Sequence, residues 1–158
     1  MKITDFKNIA ISNIKKTSIE ILKDQLKTGD IIKVKSNLLP IIYHYGIVLK
    51  NDNQFLVFHN DPFSFNKSGG NIVSECFDNW VKGKEIKEIY STGVNEQEII
   101  NTINKNHKKQ YHFLNNNCEH FVLSVKNKNN YSPQVIGWSI IALSSIIAFS
   151  IILNKNKK

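Results

Sequence analysis

Cysteine is scarce in this chain. Its two thiols, Cys76 and Cys118, do not make a disulfide framework, so a reducing compartment is expected, with spacing alone leaving one bridge open. Met1 to Gln25 lacks an unbroken apolar run long enough for a secretory signal, so the folded part is expected to stay on the cytoplasmic side. No fixed-period repeat is present, and 158 residues is one domain's worth of chain. Lysine outweighs acid to a formal charge of +8, yet no basic cluster is interleaved with aromatics. Nucleic acid is therefore not an expected partner, and the charge is read as an attraction to anionic lipid surfaces.

Charge itself is missing in one place, between Lys128 and Lys155. Val135 to Leu153 is almost wholly apolar or small, and as a helix it would span roughly 28 Å, close to the hydrocarbon core of a bilayer. Ser132 and Pro133 supply an N-cap and a first helical residue, Trp138 suits one interface, and Lys155, Lys157 and Lys158 suit the other. A single-pass C-terminal anchor is expected. The competing reading is a buried core helix, since Ser139, Ser144, Ser145 and Ser150 dilute the hydrophobicity.

Between the ends the pattern is mixed. Thr17 with Glu20 fits a capping box before Ile19, Leu22 and Leu26, predicting a short helix. After Thr28-Gly29-Asp30 come short β-type runs at Ile31–Lys35, Ile41–Leu49 and Phe55–Phe58, the last two joined by the turn Asn51-Asp52-Asn53. Asp61-Pro62 and Ser68-Gly69-Gly70 mark a loop before strands at Ile72–Cys76 and Ile86–Tyr90. Asn95 and Glu98 cap a helix with Ile99, Ile100 and Ile103 turned inward. A further helix opens at Cys118, whose stripe continues through Phe121, Val122 and Val125. The expected fold is α+β, an antiparallel sheet packed on helices plus a C-terminal transmembrane helix.

A helix N-terminus favours thiolate over thiol and offers N–H groups to an oxyanion, so Cys118 is the candidate nucleophile. His44 lies inside a strand with Ile42, Gly46 and Val48 on its face, and suits a general base with little freedom. His59 ends the next strand, near enough across a hairpin to orient His44 as a third member. Each has a bland alternative, as a packing thiol or a satisfied core histidine. Cys118, His120, His44 and His59 are also zinc-ligand types, but C-x-H is not a familiar zinc spacing. Cys76 reads as inert, and His107 and His112 as solvent-side or strand-edge residues.

The run Asn117-Cys118-Glu119-His120-Phe121-Val122 resembles the signature of the lecithin:retinol acyltransferase-like family, with small tail-anchored phospholipid enzymes among its members. Thr28-Gly29-Asp30-Ile31-Ile32, Tyr43-His44-Tyr45-Gly46-Ile47-Val48 and Val57-Phe58-His59 match in order, and the tail agrees. The resemblance implies a permuted papain-like fold, with Cys118 as nucleophile, His44 as base and His59 orienting it. Asn117, Glu119, His120 and Tyr45 would lie just behind them, with no metal and no cofactor. Residues 1–25 have no counterpart in the family and are taken as an extension, 26–130 as the thiol acyltransferase or hydrolase domain, and 131–158 as linker and anchor. Because the linker at Asn129 to Pro133 is polar and the strands and helices of the site precede it, the tail is expected to be removable from Tyr131 without loss of the site. A phospholipid acyl donor is the implied partner. Two positions depart from phospholipid-acting members: Tyr45 stands where a Trp is frequent, and Leu38-Leu39-Pro40 offers no arginine. An amidase or peptidase with the same thiol, and a catalytically silent membrane adaptor, are the alternative functions.

Overall fold

The computed structural model describes residues 19–36, 42–52, 54–126 and 131–155. Residues 1–18, the Leu38-Leu39-Pro40 stretch, Asn53, Asn129 and Asn130, and the expected anchors at Lys157 and Lys158 lie outside the described residues, as does the Lys155 side chain. Strands β1 (Asp30–Lys35), β2 (Tyr43–Asn51), β3 (Gln54–Asn60), β4 (Ile72–Cys76) and β5 (Ile86–Ser91) form one antiparallel sheet in the order β4-β3-β2-β1-β5. Helix α1 covers residues 19–25, and α2 (Phe77–Val81), α3 (Glu96–Asn106), α4 (Cys118–Val125) and α5 (Pro133–Lys155) follow. The α+β class is as expected.

Both faces of the sheet are covered, which is why the middle strands are apolar without alternation. On one side Ile31, Tyr45, Ile47 and Leu49 pack with Ile99 of α3 and with Cys118, Phe121, Val122 and Val125 of α4. On the other, Ile32, Val34, Val48 and Val57 pack with Leu26, Phe77, Trp80 and Val81. Helix α2 was not among the expected elements. Five residues, FDNWV, are too short to carry a helical period, and only the packing of Phe77 and Trp80 shows their purpose.

The local signals are realised as capping chemistry. Asn95 accepts from the Glu98 N–H at 3.0 Å while Glu98 accepts from the Asn95 N–H at 2.8 Å, a reciprocal capping box. Asp52 turns the β2–β3 hairpin at φ 48°. Strand β3 runs on to Asn60, so His59 lies within it rather than at its end.

Helix α5 is long and apolar enough to cross a membrane over Pro133–Leu153, and that stretch has none of its apolar window buried in the protein. The core-helix reading fails on this exposure. The diluting serines are satisfied within the helix: Ser139, Ser144, Ser145 and Ser150 donate to the carbonyls of Val135, Ile140, Ile141 and Ile146 at 2.8–2.9 Å. A hydroxyl bonded to its own helix can enter hydrocarbon without an orphaned donor.

Candidate active site

Strand alternation sends His44, Gly46 and Val48 to the α2 side of the sheet, where Trp80 lies under the imidazole with ring centroids 5.9 Å apart. Gly46 makes that contact possible. A Cβ there would stand 2.4 Å from Cγ1 of Val57 and 3.0 Å from the Trp80 ring. Trp80 also lies under His59, at 5.8 Å, so one indole supports both histidines.

Antiparallel register sets the next contact. His59 pairs with Val73 and Val57 with Glu75, so His59 and Glu75 are diagonal neighbours on one face. His59 Nε2 is 2.9 Å from Oε1 of Glu75, and His59 Nδ1 is 3.0 Å from Nε2 of His44. These contacts assign the tautomers. A carboxylate only accepts, so His59 carries its proton on Nε2 and offers Nδ1 as an acceptor. His44 then donates from Nε2, which leaves its Nδ1 lone pair free to take a proton.

Both imidazoles are kept neutral. His44 is lowered to about 3, first by burial, then by the charges of His59 and Lys84, with Asp61 opposing. His59 is lowered to about 4 by burial, with Asp61 opposing and Lys84 adding to the effect.

The thiol arrives from the other side of the sheet. Asn117 caps α4 by accepting from the His120 N–H at 3.0 Å and from His120 Nδ1 at 2.9 Å, and donates to the Phe113 carbonyl at 2.8 Å. Cys118 is therefore the first helical residue, 4% exposed, with Sγ 4.0 Å from the Tyr43 carbonyl. In the resting site burial opposes the thiolate that a helix start favours. Burial pushes the thiol up to about 12; a hydrogen bond from the Tyr45 N–H opposes this, the Glu119 charge adds to it, and the N–H groups of Glu119 and Cys118 oppose it. Desolvation of a full charge outweighs a helix N-terminus and a few N–H dipoles.

Cys118, His44 and His59 line one cavity of about 410 Å³, together with Phe63, Phe113 and Gln134. Its lip is apolar, with Phe63 74% and Phe113 43% exposed. His120 lines a separate cavity with His112 and Asn116. Among the described residues no three His, Cys, Asp or Glu side chains gather as a metal site. Cys76 is exposed and free at the end of β4.

Glu119 and Tyr45, expected just behind the reacting residues, lie against each other, and Glu119 is bonded to the tail. The Tyr45 phenol lies against the Glu119 carboxylate, and burial together with that neighbouring charge raises the phenol's pKa. Glu119 accepts from the hydroxyl of Ser132 and from the Gln134 N–H at 3.1 Å. Gln134 accepts from the Tyr43 N–H at 2.9 Å. The first turn of the tail thus forms part of the cavity wall. Glu75, Trp80, Ser132 and Gln134 are the site residues that sequence reasoning missed. For Glu75 a signal existed, since a carboxylate two residues beyond the partner of His59 follows once β3 and β4 are put in register.

No curated protein and no solved structure matches the chain. The family described as lecithin retinol acyltransferase matches over residues 24–130, which include the capped cysteine, both histidines and Glu75. The chain belongs to the lecithin retinol acyltransferase family.

Proposed function

We propose that this chain is a membrane-anchored thiol acyltransferase or phospholipase A that takes a fatty acyl group from a glycerophospholipid onto Cys118 as a thioester. Family membership points to acyl-transfer or phospholipase-type activity in general. The observation that carries the finer reading is the His44–His59–Glu75 series leading into the cavity that Cys118 lines. The apolar lip at Phe63 and Phe113 and the tail helix starting at the same cavity support a lipid substrate over a peptide.

In this reading Nδ1 of His44 takes the Cys118 proton as sulfur attacks the ester carbonyl. A thiol and a neutral imidazole need no preformed ion pair, and transfer occurs as the S–C bond forms. The N–H groups of Tyr45, Cys118 and Glu119 around the sulfur suit the tetrahedral oxyanion. Collapse breaks the C–O bond, and His44 returns the proton to the departing glycerol oxygen. Water, an amine or a lysolipid then attacks the thioester while His44 takes its proton, and the C–S bond breaks with the thiol reprotonated. His59 and Glu75 hold the His44 tautomer through both halves.

The burial of the thiol is the one feature that favours a silent packing role. Intact mass after incubation with mixed-lipid vesicles separates the readings. A fatty acyl adduct on the wild-type chain, absent from Cys118→Ala, is expected. Turnover of peptide amides with no adduct from any lipid would move the assignment to an amidase, and no turnover of either would leave the adaptor.

A further inference from the structure

Glu119 follows the candidate nucleophile in the chain, yet it is 6% exposed, and Ser132, in a segment expected to be a polar linker, is 1% exposed. The two are hydrogen-bonded, Ser132 donating. Glu119 accepts as well from the Gln134 N–H of α5, and the Tyr45 phenol of β2 lies against its carboxylate. Gln134 turns its side-chain oxygen back to the Tyr43 N–H of β2. Tyr43 and Tyr45 flank His44, so these contacts close a ring through β2, α4 and α5 around the two residues proposed to react. A buried carboxylate is tolerated only when its lone pairs are filled, and the two donors bonded to it among the described residues, the Ser132 hydroxyl and the Gln134 N–H, both belong to the tail.

We propose that Glu119, Ser132 and Gln134 are positioning residues, a clasp through which the seating of α5 sets the placement of Cys118 and of the strand carrying His44. The proposal rests on the reading of Cys118 as the reacting thiol. Withdrawing or tilting α5 removes donors from Glu119, and a carboxylate left short of partners moves toward water. The first turn of α4 moves with it, because Glu119 and Cys118 are consecutive. A helix as apolar as α5 takes its tilt from the bilayer, so membrane seating and active-site geometry become one equilibrium.

Point variants of the full chain in detergent micelles test this, with iodoacetamide labelling of Cys118 read by peptide mass against exposed Cys76 in the same molecule. Ser132→Ala removes a donor to Glu119, and Gln134→Ala removes the acceptor for the Tyr43 N–H and trims the cavity wall while keeping the Gln134 N–H on Glu119, so the second remains readable if the first fails to fold. Each is expected to raise Cys118 labelling about threefold or more and to move its pH dependence to lower pH as the sulfur gains water, with Cys76 unchanged. On a short-chain dispersed ester, kcat should fall about tenfold with KM little changed, and Ser132→Thr should restore both readouts. Ser139→Ala, whose hydroxyl bonds only within α5, should be silent. Labelling and kcat within about twofold of wild type in both Ser132→Ala and Gln134→Ala would overturn the clasp. A changed labelling rate with no ester turned over even by the wild type would leave the clasp standing and count against the acyl-transfer reading alone.

Discussion

His44 and His59 meet edge to face, with ring planes at 81° and Nε2 of the first 3.0 Å from Nδ1 of the second. That orientation leaves one nitrogen of His44 unpaired, and Glu75 determines which one by fixing the proton on His59.

Unequal dependence on the two histidines follows. His44→Gln should lose nearly all turnover, because no other group carries the proton in both half-reactions. His59→Gln can still accept from His44 and should keep a measurable fraction. Glu75→Gln retains an acceptor oxygen and should cost less than about tenfold, with Glu75→Ala costing more. Steady-state rates on one dispersed lipid rank the four, and equal rates for His44→Gln and His59→Gln would mean the roles are misassigned.

Cys118→Ala should remove about three orders of magnitude or more of activity while leaving the fold intact, since alanine fills most of the thiol's space. Cys76→Ala, at an exposed strand end, should match wild type. Rate measurements with circular dichroism on both variants check this, and a Cys118 variant at wild-type rate would falsify the nucleophile assignment.

Acid should destabilise the protein through its neutral histidines. In the unfolded chain His44 and His59 titrate near 6.5, and in the fold near 3 and 4, so between those limits the unfolded state binds more protons. The stability tied to their neutrality is complete above about 6.5 and is lost as pH falls through the folded values, amounting to a few kcal/mol at the acid end. Melts in detergent from pH 7.5 to 4.5 should fall steeply for wild type. A His44→Gln, His59→Gln double variant should give a flatter curve, and an equal slope would show that other groups set the acid limit.

Gly46→Ala should be out of proportion to its size. The new methyl meets Val57 and Trp80, and Trp80 supports both imidazoles, so a loss of about 1–3 kcal/mol should accompany a fall in turnover. Urea unfolding and rates on the same preparation check the pairing. Stability and activity both near wild type would show that the strand shifts freely.

Where the tail is cut should matter. A chain ending at Gly137 keeps Ser132 and Gln134 on Glu119 and Tyr43, and is expected to act on dispersed lipid while losing bilayer association. A chain ending before Tyr131 leaves Glu119 without two of its donors and should lose activity on dispersed lipid too. Equal activity of the two truncations would return the tail to the role of a plain anchor.

The features legible in the sequence are those that act over a few residues or repeat at a fixed period. Asn95 with Glu98 is a cap written in one turn of chain, and the start of α4 at Cys118 follows from its apolar stripe. The apolar length of α5 follows from composition, and the faces of β2 follow from alternation alone. Tertiary structure decided what those local signals could not reach. Glu75 acquires its role only through the register of β4 on β3, Trp80 through a five-residue helix with no period, and Gln134 through a bond to Tyr43 across 91 residues. The state of Cys118 was decided the same way. A helix start favours its thiolate in any sequence, but the sheet and α4 close over the sulfur, and the cost of burying a charge, which depends on every surrounding atom, keeps the resting thiol protonated.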